Sequence, residues 1–465
     1  MSKSQALPHG HRTTSLPLGT RLRGVALLAV LALALLLAVK IEFKNPDSND
    51  AFFAYGVLVT AVVFVVMTVS LAFYRDPAAV AGARSAAGDI QMKDSLISCI
   101  VAVHNEKELV TECIISMISQ TYENTEIIVV DDASTDGTVG VLRELSQRYG
   151  FSLTELPVNR GKKGALAAGL WVSKGSIIAF ADSDTVWKND ALACAAPIFV
   201  NDPDVGAVSG HCRALNSNVN FLTKAQDTWY EGQFSVRKAF ESVFGAVTCV
   251  SGPLALFRRS AIYNFMPAWQ ADKFLGQEFR FATDRTLTAY VLGGTFLGPR
   301  VLPKFTDSPF STPTYPLRDW KVVYSKSTRA WTNVPATFRG VIKQQIRWKK
   351  SFIRNIFVTG RFYWRRPFLP ALFYYIHVIF VFLGPFVAAR HLIYLPLRGD
   401  PVSGVLYLAG IGYIGLSFGL AFRYENPGSR RWLYRPAMSL MSTLMFSWLI
   451  FYSVATIRKM TWYRG

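Results

Sequence analysis

The sequence predicts an α/β domain inserted between membrane-spanning helices, with amphipathic helices at the junction. Of the 465 residues, 51% are hydrophobic and 17% charged, and mean hydropathy is +0.24. That is too apolar for a wholly soluble chain and too charged for a bundle buried in lipid. Long apolar stretches flank the middle of the chain on both sides. Between them, from residue 94 to 319, short apolar runs alternate with amphipathic segments, the pattern of a parallel sheet with crossover helices.

Residues 1–23 read as a cytosolic segment whose Lys3, Arg12, Arg21 and Arg23 precede an apolar run without a small-residue cleavage site, so an uncleaved anchor is expected. Stretches 24–39 and 52–74, joined by the polar loop 40–50, are long enough to cross about 30 Å as a helical hairpin. Residues 76–93 are expected to be a flexible cytosolic link. Strands are expected at 97–103, 126–130 and 177–181 within the domain 94–319. Residues 320–366 mix Lys, Arg, Trp and Phe at helical spacing and read as amphipathic helices on the membrane surface. Blocks 368–392, 402–422 and 436–456 follow, forming a membrane region 367–457 with a basic tail 458–465. Three spans would leave Arg458, Lys459 and Arg464 outside, against the bias of positive residues to the cytoplasm. The last block, with Pro436 and several Ser and Thr, is therefore expected to be re-entrant or packed in the bundle.

The formal charge of +19 fits positive flanks meeting anionic lipid, or a basic groove for nucleotide diphosphates or an anionic polymer. Five cysteines, Cys99 to Cys249, form no CxxC pair and no zinc spacing, which fits a reducing compartment.

At the junction Val101–Glu106 a strand ends and a helix opens, with Asn105 able to cap and Glu108 to close a capping box. The run from Ile127 to Gly137 carries Asp131 and Asp132 to the carboxyl end of a buried strand, the edge where open α/β sheets bind ligands. Taken alone it is an Asp-rich turn. Asn159-Arg-Gly-Lys-Lys-Gly-Ala165 is a glycine-flanked basic loop opening a helix, suited to a diphosphate though not a Walker pattern. Asp182-Ser-Asp184 ends another strand with two carboxylates on one side, suited to ribose hydroxyls and a hard cation. Mg²⁺ or Mn²⁺ there would bridge a diphosphate and stabilise its departure. Asp284 is the candidate general base, against the blander reading of a helix cap paired with Arg285. Gln344-Gln-Ile-Arg-Trp348 offers a diphosphate partner and an indole for stacking a sugar. The ordered combination is far more specific than any single part.

With these motifs in order, the chain resembles the processive family 2 glycosyltransferases, and among them the hyaluronan synthases, over about residues 95–464. The most distinctive pieces are Asp182-Ser-Asp-Thr185, Cys249-Val-Ser-Gly-Pro-Leu254, Thr283-Asp-Arg-Thr-Leu-Thr288 and the run from Lys343 to Arg354. The resemblance implies a GT-A type, Rossmann-like domain on the cytosolic side of the plasma membrane. It implies an inverting enzyme that makes and exports a β-linked polysaccharide, hyaluronan from UDP-GlcNAc and UDP-GlcA. By position, Asp132, Lys163, Asp182, Gln344 and Arg347 are expected at the nucleotide and Asp184 at Mg²⁺ or Mn²⁺. Asp284 becomes the base, and Cys249, Ser251, Gly252, Pro253 and Trp348 hold the acceptor sugar. UDP-sugars, the growing polysaccharide and membrane lipid are the implied partners, with no nucleic acid. Tyr374, Tyr375, His377 and Trp448 are candidates for lining an export channel.

Two departures stand out: Thr283 replaces the acidic residue usual before the base, and the tail reads Trp462-Tyr-Arg464. A chitin-oligosaccharide or poly-GlcNAc synthase, using UDP-GlcNAc alone, is the nearest alternative. A non-catalytic membrane transporter or scaffold is a remote one.

Overall fold

The computed structural model describes residues 50–87 and 95–459. The first apolar stretch, 24–39, and the end of the tail lie outside the described residues. In chain order the strands are β1 Ile97–Val103, β2 Thr125–Asp131, β3 Ser152–Glu155, β4 Ile177–Asp182, β5 Thr185–Trp187, β6 Val205–Ala214, β7 Ala255–Arg258, β8 Lys273–Phe274, β9 Gln277–Glu278 and β10 Lys321–Thr332. Strands β8 and β9 form a separate hairpin, and the other eight make one sheet in the order β3-β2-β1-β4-β7-β6-β10-β5.

Strands β3, β2, β1 and β4 are parallel, as their run–helix–run pattern predicts. Crossover helices Val110–Ile118, Thr138–Tyr149 and Gly161–Val172 connect them. The fully parallel arrangement fails at β7, which is antiparallel to both β4 and β6, and at β5, which is antiparallel to β10. Strand β7 enters straight from the turn Gly252–Leu254 with no crossover helix, and a short apolar run carries no sign of direction. Alternation along β1 sends Cys99, Val101 and Val103 into one core and Ile100 into the other. The sheet is thus covered on both faces, and each large side chain buried there stabilises the fold by about 1.5–3 kcal/mol.

Helix Gly161–Val172 lies close on the sheet because Gly169 has no side chain: a Cβ there would stand 2.4 Å from Ile100 Cγ2 and 3.2 Å from Val130 Cγ2. This contact sets the height of the helix whose first turn carries the basic loop.

The expectation of helices throughout 320–366 fails at its start. Lys321–Thr332 is the strand β10, parallel to β6 along nearly its whole length with a register shift between Ser325 and Arg329. Val322, Val323, Tyr324, Ala330 and Thr332 are buried, and a β-branched and aromatic run that can bury one side at every step favours a strand despite its Lys and Arg. Only Phe338–Ile356 forms the long amphipathic helix, capped by the Thr337 side chain accepting from Gly340 N.

Residues 77–86 are likewise not a flexible link. They form the helix Pro77–Ala86, with Asp76 as N-cap and Pro77 at its first position, and the helix packs on β10 and on helix Ala191–Asn201. Asp76 also accepts from Ser325 Oγ (3.0 Å), Ser327 N (2.8 Å) and Ser327 Oγ (2.6 Å), docking the end of the preceding apolar helix on the sheet.

Among the described residues, three helical stretches are long and apolar enough to cross a membrane: Ala54–Ala86, whose apolar part is the helix Asp50–Ala72, Phe368–Leu397 and Pro401–Glu425. The last apolar block is broken into Arg430–Phe446 and Leu449–Ala455, bent by 41°.

The tight Gly169 contact predicts that Gly169→Ala destabilises the protein by about 1–3 kcal/mol through overpacking. Thermal unfolding in detergent, compared with Gly140→Ala, where a Cβ meets nothing within 4 Å, checks it.

Candidate active site

Parallel register brings the ends of β1, β2 and β4 level, pairing Val103 with Asp131 and Ala102 with Asp182. The acidic residues that end β2 and β4 therefore share one edge. The loops leaving β1 and β2 turn sharply through Asn105 (φ 55°) and Ala133 (φ 57°). They interlock through Asn105 N donating to Ser134 Oγ (2.9 Å) and Thr135 N donating to Asn105 Oδ1 (2.8 Å).

Both Asp131 and Asp132 are buried. Asp131 Oδ2 accepts from Ser134 N (3.0 Å), while its Oδ1 is buried without a partner. Asp132 Oδ1 accepts from Arg160 N (2.6 Å), and its carbonyl lies 2.9 Å from His104 Nδ1 and accepts from Asn159 Nδ2 (3.2 Å). Asp132 thereby pins the basic loop to the sheet edge.

The two lysines of that loop part company. Lys162 reaches across the edge and pairs with Asp182. Lys163, the one expected at the nucleotide, is buried beneath, with Nζ 3.2 Å from Asp272 Oδ2 and 3.0 Å from the Phe279 carbonyl. Adjacent helical residues point about 100° apart, so one faces the edge and the other the interior; nothing in Gly161-Lys-Lys-Gly164 says which.

Asp182 and Asp184 are both half-buried. Asp184 Oδ1 accepts from Thr332 Oγ1 (3.2 Å). Burial, and then the charge of Asp182, push the Asp184 carboxyl up to about 6. Among the described residues no group of three or more His, Cys, Asp or Glu is gathered that would hold a metal ion on protein ligands alone. Two hard oxygen ligands that repel each other nevertheless suit a divalent cation that takes its remaining ligands from water and a diphosphate.

One loop joins this edge to the candidate base. At its near end Gly252 lies against Asp182: a Cβ there would stand 2.9 Å and 3.0 Å from the two carboxylate oxygens. The Pro253 carbonyl accepts from Trp187 Nε1 (2.9 Å). At its far end Cys249 Sγ lies 3.2 Å from Asp284 Oδ2, where it donates. Burial pushes the Cys249 thiol up to about 12, helped by the Asp284 charge, so it remains a protonated donor. Asp284 stands in the first turn of helix Thr283–Leu292, with Oδ1 accepting from Arg285 N (2.9 Å).

Lys238 was not singled out from sequence. It ends a π-helical turn, Gln233–Lys238, a form frequent at functional sites. Its Nζ donates to Ser251 Oγ (2.5 Å) and Ser209 Oγ (2.8 Å), 4.2 Å from the Phe234 ring centre.

Gln344, Arg347 and Trp348, three and four residues apart, share one face of helix Phe338–Ile356. Trp348 stacks on Trp229 (5.3 Å between ring centres, 22° between planes) and meets Tyr230 at 6.2 Å. The latter two, missed from sequence, extend the indole into a platform; the adjacent Trp229-Tyr230 pair was the available signal. Of the candidate channel residues, Tyr374 packs on Tyr363 at 4.8 Å, Tyr375 donates to the Gly360 carbonyl (2.8 Å), His377 lies 5.7 Å from Phe352, and Trp448 is exposed at the bend in the last block.

Residues 98–265 match the family described as Glycosyl transferase family 2. The hyaluronan synthase of Streptococcus pyogenes is 28% identical over 377 residues, covering 79% of this chain and 83% of that one. N-acetylglucosaminyltransferases of Mesorhizobium japonicum and Rhizobium meliloti are 30% and 31% identical over 263 and 267 residues, 56% and 57% of each chain. In structure, the mannosyltransferase PcManGT of Pyrobaculum calidifontis, solved with GDP-Man and Mn²⁺, aligns with a TM-score of 0.53 at 21% identity, covering 88% of this chain and 99% of that one. That likeness is one of fold.

The approach of Gly252 to Asp182 yields a direct expectation. Gly252→Ala forces the carboxylate aside and, with this edge as the nucleotide site proposed below, is expected to weaken UDP binding about tenfold, equivalent to about 1.4 kcal/mol. Calorimetric titration with UDP and Mn²⁺ reads this out, and an unchanged Kd would refute the role of the contact.

Proposed function

Because the chain is a hyaluronan synthase-like family 2 hexosyltransferase, we propose that it is a processive, inverting enzyme that builds and exports a β-linked polysaccharide from UDP-sugars, with hyaluronan as the polymer. The observation that carries this is the single loop with Asp182 against Gly252 at one end and Asp284 against Cys249 at the other. It sets a donor edge and a base on either side of the reacting atoms. UDP lies along the sheet edge near Asp132 and Asp182, and Lys162, Gln344 and Arg347 face its diphosphate. Asp182 and Asp184 would hold Mg²⁺ or Mn²⁺, which supplies charge stabilisation for the departing UDP; PcManGT was solved with Mn²⁺.

The acceptor sugar rests on Trp348, Trp229 and Tyr230, its hydroxyl directed at Asp284. Asp284 takes the hydroxyl proton as the acceptor oxygen bonds to the anomeric carbon. The bond from that carbon to the diphosphate oxygen breaks on the opposite face, and UDP leaves with the electron pair. Inversion follows from this in-line geometry, and the lengthened acceptor moves toward the membrane helices.

Cations support an acidic product. Lys238 and Arg285 lie within electrostatic reach of each other and of Asp284, and Arg237 within reach of Arg285, with Glu241 beside all three. Lys349, pushed down to about 8 by burial, has no carboxylate partner among the described residues. A chain carrying a carboxylate on alternate sugars would offset this excess, and a neutral polymer of GlcNAc would not.

The test is UDP release and product analysis for protein in nanodiscs with Mn²⁺ or Mg²⁺, given UDP-GlcNAc, UDP-GlcA, both, or UDP-Glc. Polymer only from the first two together is expected. Polymer from UDP-GlcNAc alone would replace hyaluronan by a chitin-like or poly-GlcNAc product. No turnover with any donor, in protein that binds UDP, would favour a non-catalytic transporter or scaffold. Asp284→Asn is expected to lower turnover by about 10²–10⁴ while UDP binding persists.

A further inference from the structure

Lys163 is 8% exposed and Asp272 4%, a buried ion pair the reaction scheme above does not use. Asp272 holds a second cation, Arg354 Nη2 donating to Oδ1 at 2.5 Å. These three side chains join three parts of the molecule: the helix opened by the basic loop, the segment that leads to the base, and the last turn of helix Phe338–Ile356. The Arg354 guanidinium also lies 5.2 Å from the Phe274 ring centre.

The middle part shows what the pair does. Asp272 immediately precedes the β8–β9 hairpin and Phe279 immediately follows it, closed by Phe279 N donating to the Asp272 carbonyl (2.8 Å). Lys163 Nζ meets the Asp272 carboxylate and the Phe279 carbonyl together, so it grips both feet of the hairpin. Five residues beyond Phe279 stands Asp284. The intervening path is stiff: Phe281 and Ala282 are buried, Ala282 holds a left-handed φ of 61°, and the Thr283 carbonyl accepts from Trp269 Nε1 (2.8 Å). Strained backbone persists only where its surroundings over-determine it. At the other end, three residues of the basic loop touch Asp132 (through Arg160 N), Asp182 (through Lys162) and Asp272 (through Lys163).

We propose that Lys163 and Asp272, braced by Arg354, are positioning residues that fix Asp284 relative to the donor loop, and that Lys163 acts on the base rather than on the diphosphate. This rests on the reading of Asp284 as the base. Lys163 Nζ and the Thr283 carbonyl both lie against Trp269.

The experiment uses the full chain in nanodiscs, with UDP as the binding probe and donor turnover as the readout. Asp272→Asn leaves two buried cations short of a counter-charge, so the Lys163→Met/Asp272→Asn double variant, with less uncompensated charge, is measured beside it. In both, kcat is expected to fall by about ten- to hundredfold, as a small misplacement of a reacting group does, while UDP Kd and donor KM stay within about threefold of the parent. Retained kcat in the double variant overturns the proposal. So does Lys163→Met with UDP Kd weakened by more than about tenfold and kcat held, which puts Lys163 on the diphosphate. Asp284→Asn separates the two layers. An active Asp284→Asn sinks the base assignment and the proposal with it; an inactive Asp284→Asn beside active Asp272 variants sinks the proposal alone.

Discussion

Like charges crowded at one sheet edge are the constraint around which this domain is organised. Parallel register puts Asp131 and Asp132 at the end of β2 and Asp182 and Asp184 at the end of β4, on either side of β1, half-buried or buried, where repulsion is poorly screened. Fixed donors reduce it. Ser134 N serves Asp131, Arg160 N serves Asp132, Lys162 pairs with Asp182, and Thr332 Oγ1 donates to Asp184. Much of the irregular backbone nearby follows from delivering those donors. Ala133 turns through a left-handed φ so that Ser134 N reaches back, and Gly161 (φ 70°) opens the helix that sends Lys162 across the edge. A carboxylate cluster held this way is prepared for a cationic or hydrogen-bonding ligand that takes over from internal partners.

The proposed base, Asp284, comes from elsewhere in the chain, and its placement depends on packing between segments rather than on the register of one sheet. Three contacts fix it: Cys249 from the loop after the π-helical turn, Trp269 through the Thr283 carbonyl, and the Lys163–Asp272 pair through the hairpin. The hydrophobic cluster of Phe279, Phe281, Ala282, Ile353, Ile450 and Ile457 sets that segment between the amphipathic helix and the last apolar block. The last apolar block thus forms one wall of the segment that leads to Asp284.

Sequence periodicity revealed what local physics decides. The strands ending at Val103, Asp131 and Asp182, the helix opened at Gly161 and the shared face of Gln344, Arg347 and Trp348 all follow from runs and spacings within one element. What escaped depends on pairing between elements. Strand β10 carries Lys and Arg that suit a membrane-surface helix, and only its place beside β6 makes it a strand. Strand β7 is too short to declare its direction. Lys162 and Lys163 are identical in context until the helix docks through Gly169. Trp229, Tyr230 and Asp272 matter through Trp348, Lys163 and Arg354, which lie 82 to 119 residues away from them in the chain and meet them only across the fold.

Rigid coupling between the domain and the apolar helices bears on how a growing chain would move. Asp76 ties the Asp50–Ala72 helix to β10, and Lys326 of β10 pairs with Glu425 at the end of Pro401–Glu425. Asp227, on the same helix as Trp229 and Tyr230, accepts from Arg213 at 2.8 and 2.7 Å and from Arg431 of the following loop at 2.8 Å. Breaking a buried charge pair of this kind costs about 3–5 kcal/mol, and the three anchors tie the domain to different apolar segments. A mechanism in which the whole domain rocks against the helices would disrupt them at every sugar added. On the proposed function, translocation is therefore motion of the polymer past a fixed platform. The parts left to move are side chains whose partners a substrate can replace, Lys162 on Asp182 foremost among them.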